Sequence, residues 1–370
     1  MTNSWTSVRT STRTNSVVGK ARWTALVAAG AALVGVAVLG PTSAPASAAA
    51  PSWTRSAPVD GQIDIAALRT ALAGLPEPSV RGAMVRISGR DGRWTGTAGE
   101  WTAPVDGPHA GEFAVGSVTK LFTGALVLQL VGEGRLSLDE PVQAHLPGLL
   151  PRSYAPITVG QLLSHTSGLQ KPECVRPGSP VEVVRSAVSC GTPTAPGTTA
   201  QYNGINYFLA GLLVEKVSGL SYEAELRDRI LRPLGLRHTR LPADDWAWAE
   251  GGLVSTSGDL TRFMNVLMRG GLHRPAERAA LFTVPAIPDA QFSLGGLMRF
   301  PVPGGGPVVW GKTGTNHGYT SGVFATQGLG RVVVYSTLTT GKDSARETAR
   351  VKGIVGAAFK GYRERVAAGA

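Results

Sequence analysis

Strand-like patterning in this 370-residue chain is confined to two places far apart in sequence. Near the start, Ala83 to Ser88 and Trp94 to Trp101 are β-type runs separated by the turn signal Asp91-Gly92, which reads as a hairpin. Strand character returns only at Pro307 to Thr315, Tyr319 to Thr326 and Arg331 to Thr339, rich in Val, Thr, Tyr and Phe, with Gly328-Leu329-Gly330 as a turn between the last two. Between these groups, Pro/Gly loops alternate with helical runs such as Asn206 to Ser218, Tyr222 to Ile230 and Gly258 to Met268. Asp60 to Leu75 and Ser344 to Ala367 carry helical spacing outside the strands. The expected fold class is therefore α+β: an antiparallel sheet assembled from both chain ends and flanked by helices, with a mainly helical lobe of roughly residues 132–295 inserted into it. A groove between the lobes is the natural place for chemistry.

The first 48 residues stand outside that scheme. Arg9, Arg13, Lys20 and Arg22 form a positive segment without acidic residues, Thr24 to Gly40 is apolar, and Ala46-Ser47-Ala48 is a small-residue cleavage site, the pattern of a secretory signal peptide. A membrane anchor is the weaker alternative, since the apolar run is Ala/Gly-rich, short against the roughly 20 residues of a span, and ends at Pro41. A single exported domain of residues 49–370 remains, expected not to span a membrane in its mature form. The formal charge of +11 falls to +7 without the four basic residues of the leader, which suits an anionic envelope polymer. Nucleic acid is a poor partner, because Arg and Lys are scattered without interleaved aromatics. Cys174 and Cys190, close in sequence in an exported chain, are expected to form a disulfide worth on the order of 3 kcal/mol in the chain-entropy model. With no third Cys and no tight His/Cys/Asp grouping, neither a metal nor another cofactor is expected.

The chemistry points to Gly116-Ser117-Val118-Thr119-Lys120, followed directly by the apolar run Leu121 to Val131. A hydroxyl and an amine three residues apart share one helix face, so Lys120 can reach Ser117. An amine desolvated by the apolar helix could be neutral enough to take the serine proton, and a place in the first helical turn would favour an attacking oxyanion. The bland alternative is a capping serine and a snorkelling lysine. Two further segments weigh against it. In Trp310-Gly311-Lys312-Thr313-Gly314-Thr315, Lys312 supplies a fixed cation, Thr313 a hydroxyl, and Gly314 lets a ligand approach the backbone of a strand edge. Tyr202 lies in Ala200-Gln201-Tyr202-Asn203-Gly204-Ile205-Asn206-Tyr207, just before a helix.

Taken in that order, Ser-x-x-Lys, Tyr and Lys-Thr-Gly resemble the penicillin-recognising serine hydrolases, specifically the branch holding class C β-lactamases and secreted Streptomyces-type D-alanyl-D-alanine carboxypeptidases. Gly134 to Pro141, Ile157 to Leu169, Pro196-Gly197-Thr198 and Gly251 to Thr256 extend the resemblance. It implies that Ser117 is acylated, that Lys120 and Tyr202 share general-base and general-acid work, and that Lys312 holds the electrostatics of the groove. It places the oxyanion between the N–H groups of Ser117 and Thr315. It also makes Arg299 similar to a carboxylate-binding arginine that Thr313 and Thr315 would assist, the other reading of Arg299 being a solvated strand residue. His165 falls in a structural turn, and His317 lines the groove mouth.

One departure from the pattern concerns the position two residues after the tyrosine. The family usually has Asn there, bonded to the catalytic lysine and to the substrate's acyl amide, and this chain has Gly204. Asn203 or Asn206 is the expected substitute. The resemblance implies a secreted D-alanyl-D-alanine carboxypeptidase-like enzyme acting on small peptides or peptidoglycan stem peptides and reacting with β-lactam antibiotics. A β-lactamase or esterase of the same family is an alternative, and a penicillin- or peptidoglycan-binding module without turnover is another.

Overall fold

The computed structural model describes residues 63–105, 107, 110–169, 175–302 and 306–362. The expected leader, Cys174 and the end of the closing helix lie outside them. All described residues belong to one unit, Ala48–Ala370.

The two ends of the chain do meet. Strands β1 (Val80–Ser88) and β2 (Trp94–Gly99) are followed by β3 (Phe113–Ala114), β4 (Val254–Ser255), β5 (Met298–Pro301), β6 (Val308–Asn316), β7 (Tyr319–Ala325) and β8 (Val332–Thr339). Six of them form one sheet in the order β2-β1-β8-β7-β6-β5. The seam is β1 against β8, antiparallel, with Met84 opposite Ser336 and Ile87 opposite Val333. β5 was not expected, because only four residues ending in Pro301 pair with Val308–Gly311. Beyond Gly311, no strand among the described residues pairs with β6 on its side away from β7. The two-stranded ribbon β3–β4 is a second addition, pairing Phe113–Ala114, ahead of the inserted lobe, with Val254–Ser255 inside it.

Period-2 alternation divides the sheet's side chains between two cores. Val333, Tyr335, Val309 and Phe324 pack with the terminal helices, against Leu68, Leu72, Ile354 and Phe359. Val332, Val334, Val323 and Trp310 face the helical lobe. The first helix is shorter than expected, Ile65–Leu72, capped by Asp64 Oδ1 accepting from Ala67 N at 2.8 Å. The last spans Ser344–Phe359. No helix among the described residues is long and apolar enough to cross a membrane.

Helix Thr119–Gly132 runs through the larger of the two cores. It shows almost no amphipathic face because it is covered on nearly every side, with Leu121, Phe122, Leu126, Leu128 and Leu130 all buried. Gly124 has no side chain because a Cβ there would lie 2.6 Å from the Gly295 carbonyl oxygen. Phe122 stacks on Phe263 of helix Ser257–Arg269, ring centroids 3.8 Å apart. Helix Pro180–Val188, not singled out by its sequence spacing, starts at a capping box of Ser179 and Glu182 with Pro180 in the first turn.

Replacing Phe122 by Ala should lower the free energy of unfolding by about 3–5 kcal/mol, the range for a large buried ring whose site cannot collapse. Denaturant unfolding checks this, and a loss under about 1 kcal/mol would show that the helix is not held as tightly as described.

Candidate active site

A tight turn pressed against a strand sets the position of Ser117. Gly116–Val118 is a 3₁₀ turn that runs into helix Thr119–Gly132, so Ser117 stands just ahead of the first α-helical turn. Gly116 has φ of 51°, and a Cβ there would fall 2.5 Å from Thr315 N. A Cβ on Gly314 would fall 2.1 Å from Val115 O and 2.5 Å from Ser117 N. Only glycine at both positions lets the backbones of Ser117 and Thr315 come together. Thr119 Oγ1 ties the turn from below, donating to Gly116 O at 2.7 Å and accepting from Leu253 N at 3.1 Å.

The hydroxyl of Ser117 is shared by two side chains from distant segments. Tyr202 Oη lies 2.8 Å and Lys120 Nζ 3.0 Å from Ser117 Oγ. Lys120 is fully buried and also bonds Glu250 twice, at the backbone oxygen at 2.6 Å and at the carboxylate Oε2. Burial alone would drive off its proton. The Glu250 carboxylate and Tyr202 outweigh burial and hold Lys120 above the usual lysine range. The expectation of a neutral amine is thus reversed: Lys120 rests as an ammonium because a carboxylate the sequence did not reveal pairs with it.

Tyr202 carries the opposite shift. Burial raises a phenol, but the ammonium groups of Lys120 and Lys312 and the bond to Ser117 bring Tyr202 below the ordinary tyrosine range. Lys312 Nζ sits 4.7 Å from the centre of the Tyr202 ring and donates to Thr313 O at 2.8 Å. Burial, aided by the Lys120 charge and opposed by Tyr202, brings Lys312 down to about 8. Ser117 therefore has beside it a phenol prone to ionise and two buried amines of unequal proton affinity. A serine hydroxyl so placed can pass its proton to Tyr202 as it attacks.

The remaining residues divide between those on the cleft and those turned away. Asn203 is a correction: it is buried, Nδ2 donates to Leu169 O at 3.0 Å and Oδ1 accepts from Ile205 N at 3.0 Å, so its amide braces the backbone. Asn206 is likewise buried, accepting from Ser167 Oγ at 2.7 Å. Neither replaces the missing Asn. A Cβ on Gly204 would instead lie 3.2 Å from Glu250 Cδ and Oε2, so the empty position at 204 is filled by the Glu250 carboxylate.

Strand alternation puts Lys312 and Gly314 on the cleft face. Thr313 and Thr315 are a second correction: they line a groove on the other face of β6 with Phe324, Tyr335 and Val355, and Thr315 Oγ1 bonds Thr320 Oγ1 at 3.2 Å. Their contribution to the cleft is backbone. Arg299 pairs across from Trp310, on the Lys312 face, and is exposed. His165, with φ of 58°, accepts from Asn203 N at 3.2 Å through Nδ1, which assigns the proton to Nε2; burial and the two lysine charges keep it neutral. His317 is exposed and pairs with Asp245 Oδ2 at 3.0 Å.

Since Glu250 occupies the space that a side chain at 204 would need, Gly204→Asn should push the carboxylate off Lys120. We expect kcat/KM on an activated ester to drop about ten- to a hundredfold, the weight of one charge-assisted hydrogen bond, with Glu250→Gly partly restoring it in the double variant. Additive losses in the double variant would contradict the packing described.

Comparison with known proteins agrees with this architecture. A family model described as Beta-lactamase matches residues 68–356. A beta-lactamase of Escherichia coli strain K12 is 34% identical over 155 residues, covering 39% of this chain and 41% of that protein. Penicillin-binding protein 4 of Amycolatopsis lactamdurans is 36% identical over 134 residues, 34% of this chain and 35% of that one. The chain thus spans less than half the length of these curated relatives. Among solved structures, a D-stereospecific amidohydrolase from a Streptomyces species superposes with a TM-score of 0.69 at 28% identity, covering 81% of this chain and 100% of that one. The D-amino acid amidase of Ochrobactrum anthropi SV3 shares the fold, with a TM-score of 0.67 at 22% identity over 77% of this chain and 98% of that one. With Ser117, Lys120, Tyr202 and Lys312 gathered at one turn, and with the family model covering most of its length, this chain belongs to the beta-lactamase family of penicillin-recognising serine hydrolases.

Proposed function

We propose that the protein is an exported serine hydrolase that cleaves amide bonds of D-amino-acid derivatives through an acyl-enzyme on Ser117. The observation that carries this reading is Ser117 Oγ held between Tyr202 Oη at 2.8 Å and Lys120 Nζ at 3.0 Å, beside a length of β6 whose outer edge no described strand covers. Tyr202, drawn below its usual range by two ammonium neighbours, takes the Ser117 proton as Oγ attacks the carbonyl carbon and returns one to the leaving amine. Lys120 stays charged and stabilises the phenolate. The N–H groups of Ser117 and Thr315 receive the oxyanion, a contribution of about 10²–10³ in rate for each donor in such sites. The substrate class is supported by the likeness to the Streptomyces D-stereospecific amidohydrolase, which extends over that protein's whole length.

A second reading, D-alanyl-D-alanine carboxypeptidase action on cell-wall peptides, is favoured by Arg299, an exposed cation on the Lys312 face that suits a terminal carboxylate. Under either reading β-lactams acylate the same serine. Export and a Cys174–Cys190 disulfide are part of this proposal.

Intact-mass spectrometry after penicillin treatment should show one covalent adduct on the parent and none on Ser117→Ala. An adduct surviving in the variant would overturn the assignment of the nucleophile. Followed over time, rapid loss of the adduct indicates a β-lactamase, slow loss with amide turnover the proposed hydrolase, and permanent label without turnover a binding module. The pH profile offers a second check. A Lys312 that titrates at about 8 is charged below that pH and neutral above it, so kcat/KM should fall as pH rises through about 8. In Lys312→Arg, whose charge persists, the fall should move to higher pH, and an unmoved limb would assign it to another group.

A further inference from the structure

Glu250 lies on the short helix Trp248–Gly251, next to the segment that holds the nucleophile turn, where Val115 N donates to Leu253 O at 3.0 Å. Its two oxygens are not equivalent. Oε2 is engaged by Lys120, whereas no described residue bonds Oε1. The Glu250 side chain is 21% exposed while that of Lys120 is 0%, so solvent reaches the buried pair from the carboxylate side. The room for it comes from Gly204, where any side chain would meet it. Two hydrogen bonds and the width of a carboxylate separate Oε1 from Ser117 Oγ. An amino group on the residue esterified to Ser117 would stand roughly 3–4 Å from Oγ by covalent geometry, within the span that Lys120 bridges between Oγ and the Glu250 carboxylate.

The polarity of this position limits what it can bind. A carboxylate only accepts, so whatever faces Oε1 must donate, and a cationic donor adds Coulomb attraction in a partly desolvated cleft. An N-acyl carbonyl placed there would set acceptor against acceptor. We propose that Glu250 binds the ammonium of an unblocked amino acid or peptide N-terminus on the acyl side of the scissile bond, so that the enzyme prefers free N-terminal D-residues to N-blocked chains. The proposal rests on the acyl-enzyme reading above and, if correct, disfavours the carboxypeptidase alternative on N-acylated stem peptides.

The test compares D-alanine methyl ester with N-acetyl-D-alanine methyl ester, at a pH where the free amine is protonated, in the parent, Glu250→Gln and Ser117→Ala. The control substrate is p-nitrophenyl acetate, which has no amine. The parent should favour the unblocked ester by at least about tenfold in kcat/KM, the discrimination one charge-assisted hydrogen bond supplies. In Glu250→Gln the preference should fall toward unity, chiefly through KM of the unblocked ester, with the ratio of N-acetyl ester to p-nitrophenyl acetate unchanged. A merely structural Glu250 would slow all three esters alike and leave the preference intact. A parent without the preference, or a preference that survives Glu250→Gln, overturns this inference while leaving Ser117-dependent hydrolysis standing. Absence of Ser117-dependent hydrolysis of all three esters overturns the acyl-enzyme reading and this inference with it.

Discussion

The ion pair between Lys120 and Glu250 is the constraint on which the site depends. Lys120 is 0% exposed, on a helix packed all round by apolar side chains, and an ammonium there without a partner would carry a desolvation cost of several kcal/mol. Glu250 keeps the charge in place. That charge and Lys312 together lower the proton affinity of Tyr202, and Tyr202 in turn bonds Ser117. Removing the carboxylate would change the proton inventory of every member of the group.

The architecture makes this arrangement rigid. Ser117 comes from the turn before the central helix, Tyr202 and Gly204 from the approach to helix Ile205–Ser218, Glu250 from the short helix Trp248–Gly251 before β4, and Lys312 from β6. The seam of β1 against β8 fixes the sheet, and the glycines at 116 and 314 let the nucleophile turn lie directly on it. Because approach distances near 2.5 Å would be filled by any Cβ, the spacing between Ser117 and Thr315 is set by missing atoms as much as by bonds.

Much of this was legible from residue types. The alternating runs at both ends predicted the antiparallel sheet, since period-2 patterning is a local property, and the long helices followed from their own apolar spacing. Ser117, Lys120, Tyr202 and Lys312 were recognisable as a set and do converge. The failures share a cause, namely contacts that no local pattern encodes. Glu250 lies 130 positions from its partner Lys120 and is an ordinary acidic residue in sequence, so the lysine's charge state could not be read. The gap at Gly204 is visible in the sequence, but Asn203 flanks a helix start whose backbone groups need partners, and its amide goes to them and not to the gap. The motif points to Thr313 and Thr315 as cleft residues, but strand alternation from Lys312 turns their side chains to the other face.

The claim most open to direct test is that Lys120 rests as an ammonium and leaves proton transfer to Tyr202. Side-chain lysine NMR, with the Lys120 signal identified by its loss in Lys120→Arg, measures this. The account predicts that the Lys120 resonance keeps ammonium character from neutral to mildly alkaline pH while that of Lys312 titrates near 8. A Lys120 signal of neutral-amine character at neutral pH would contradict it and return the role of base to the lysine.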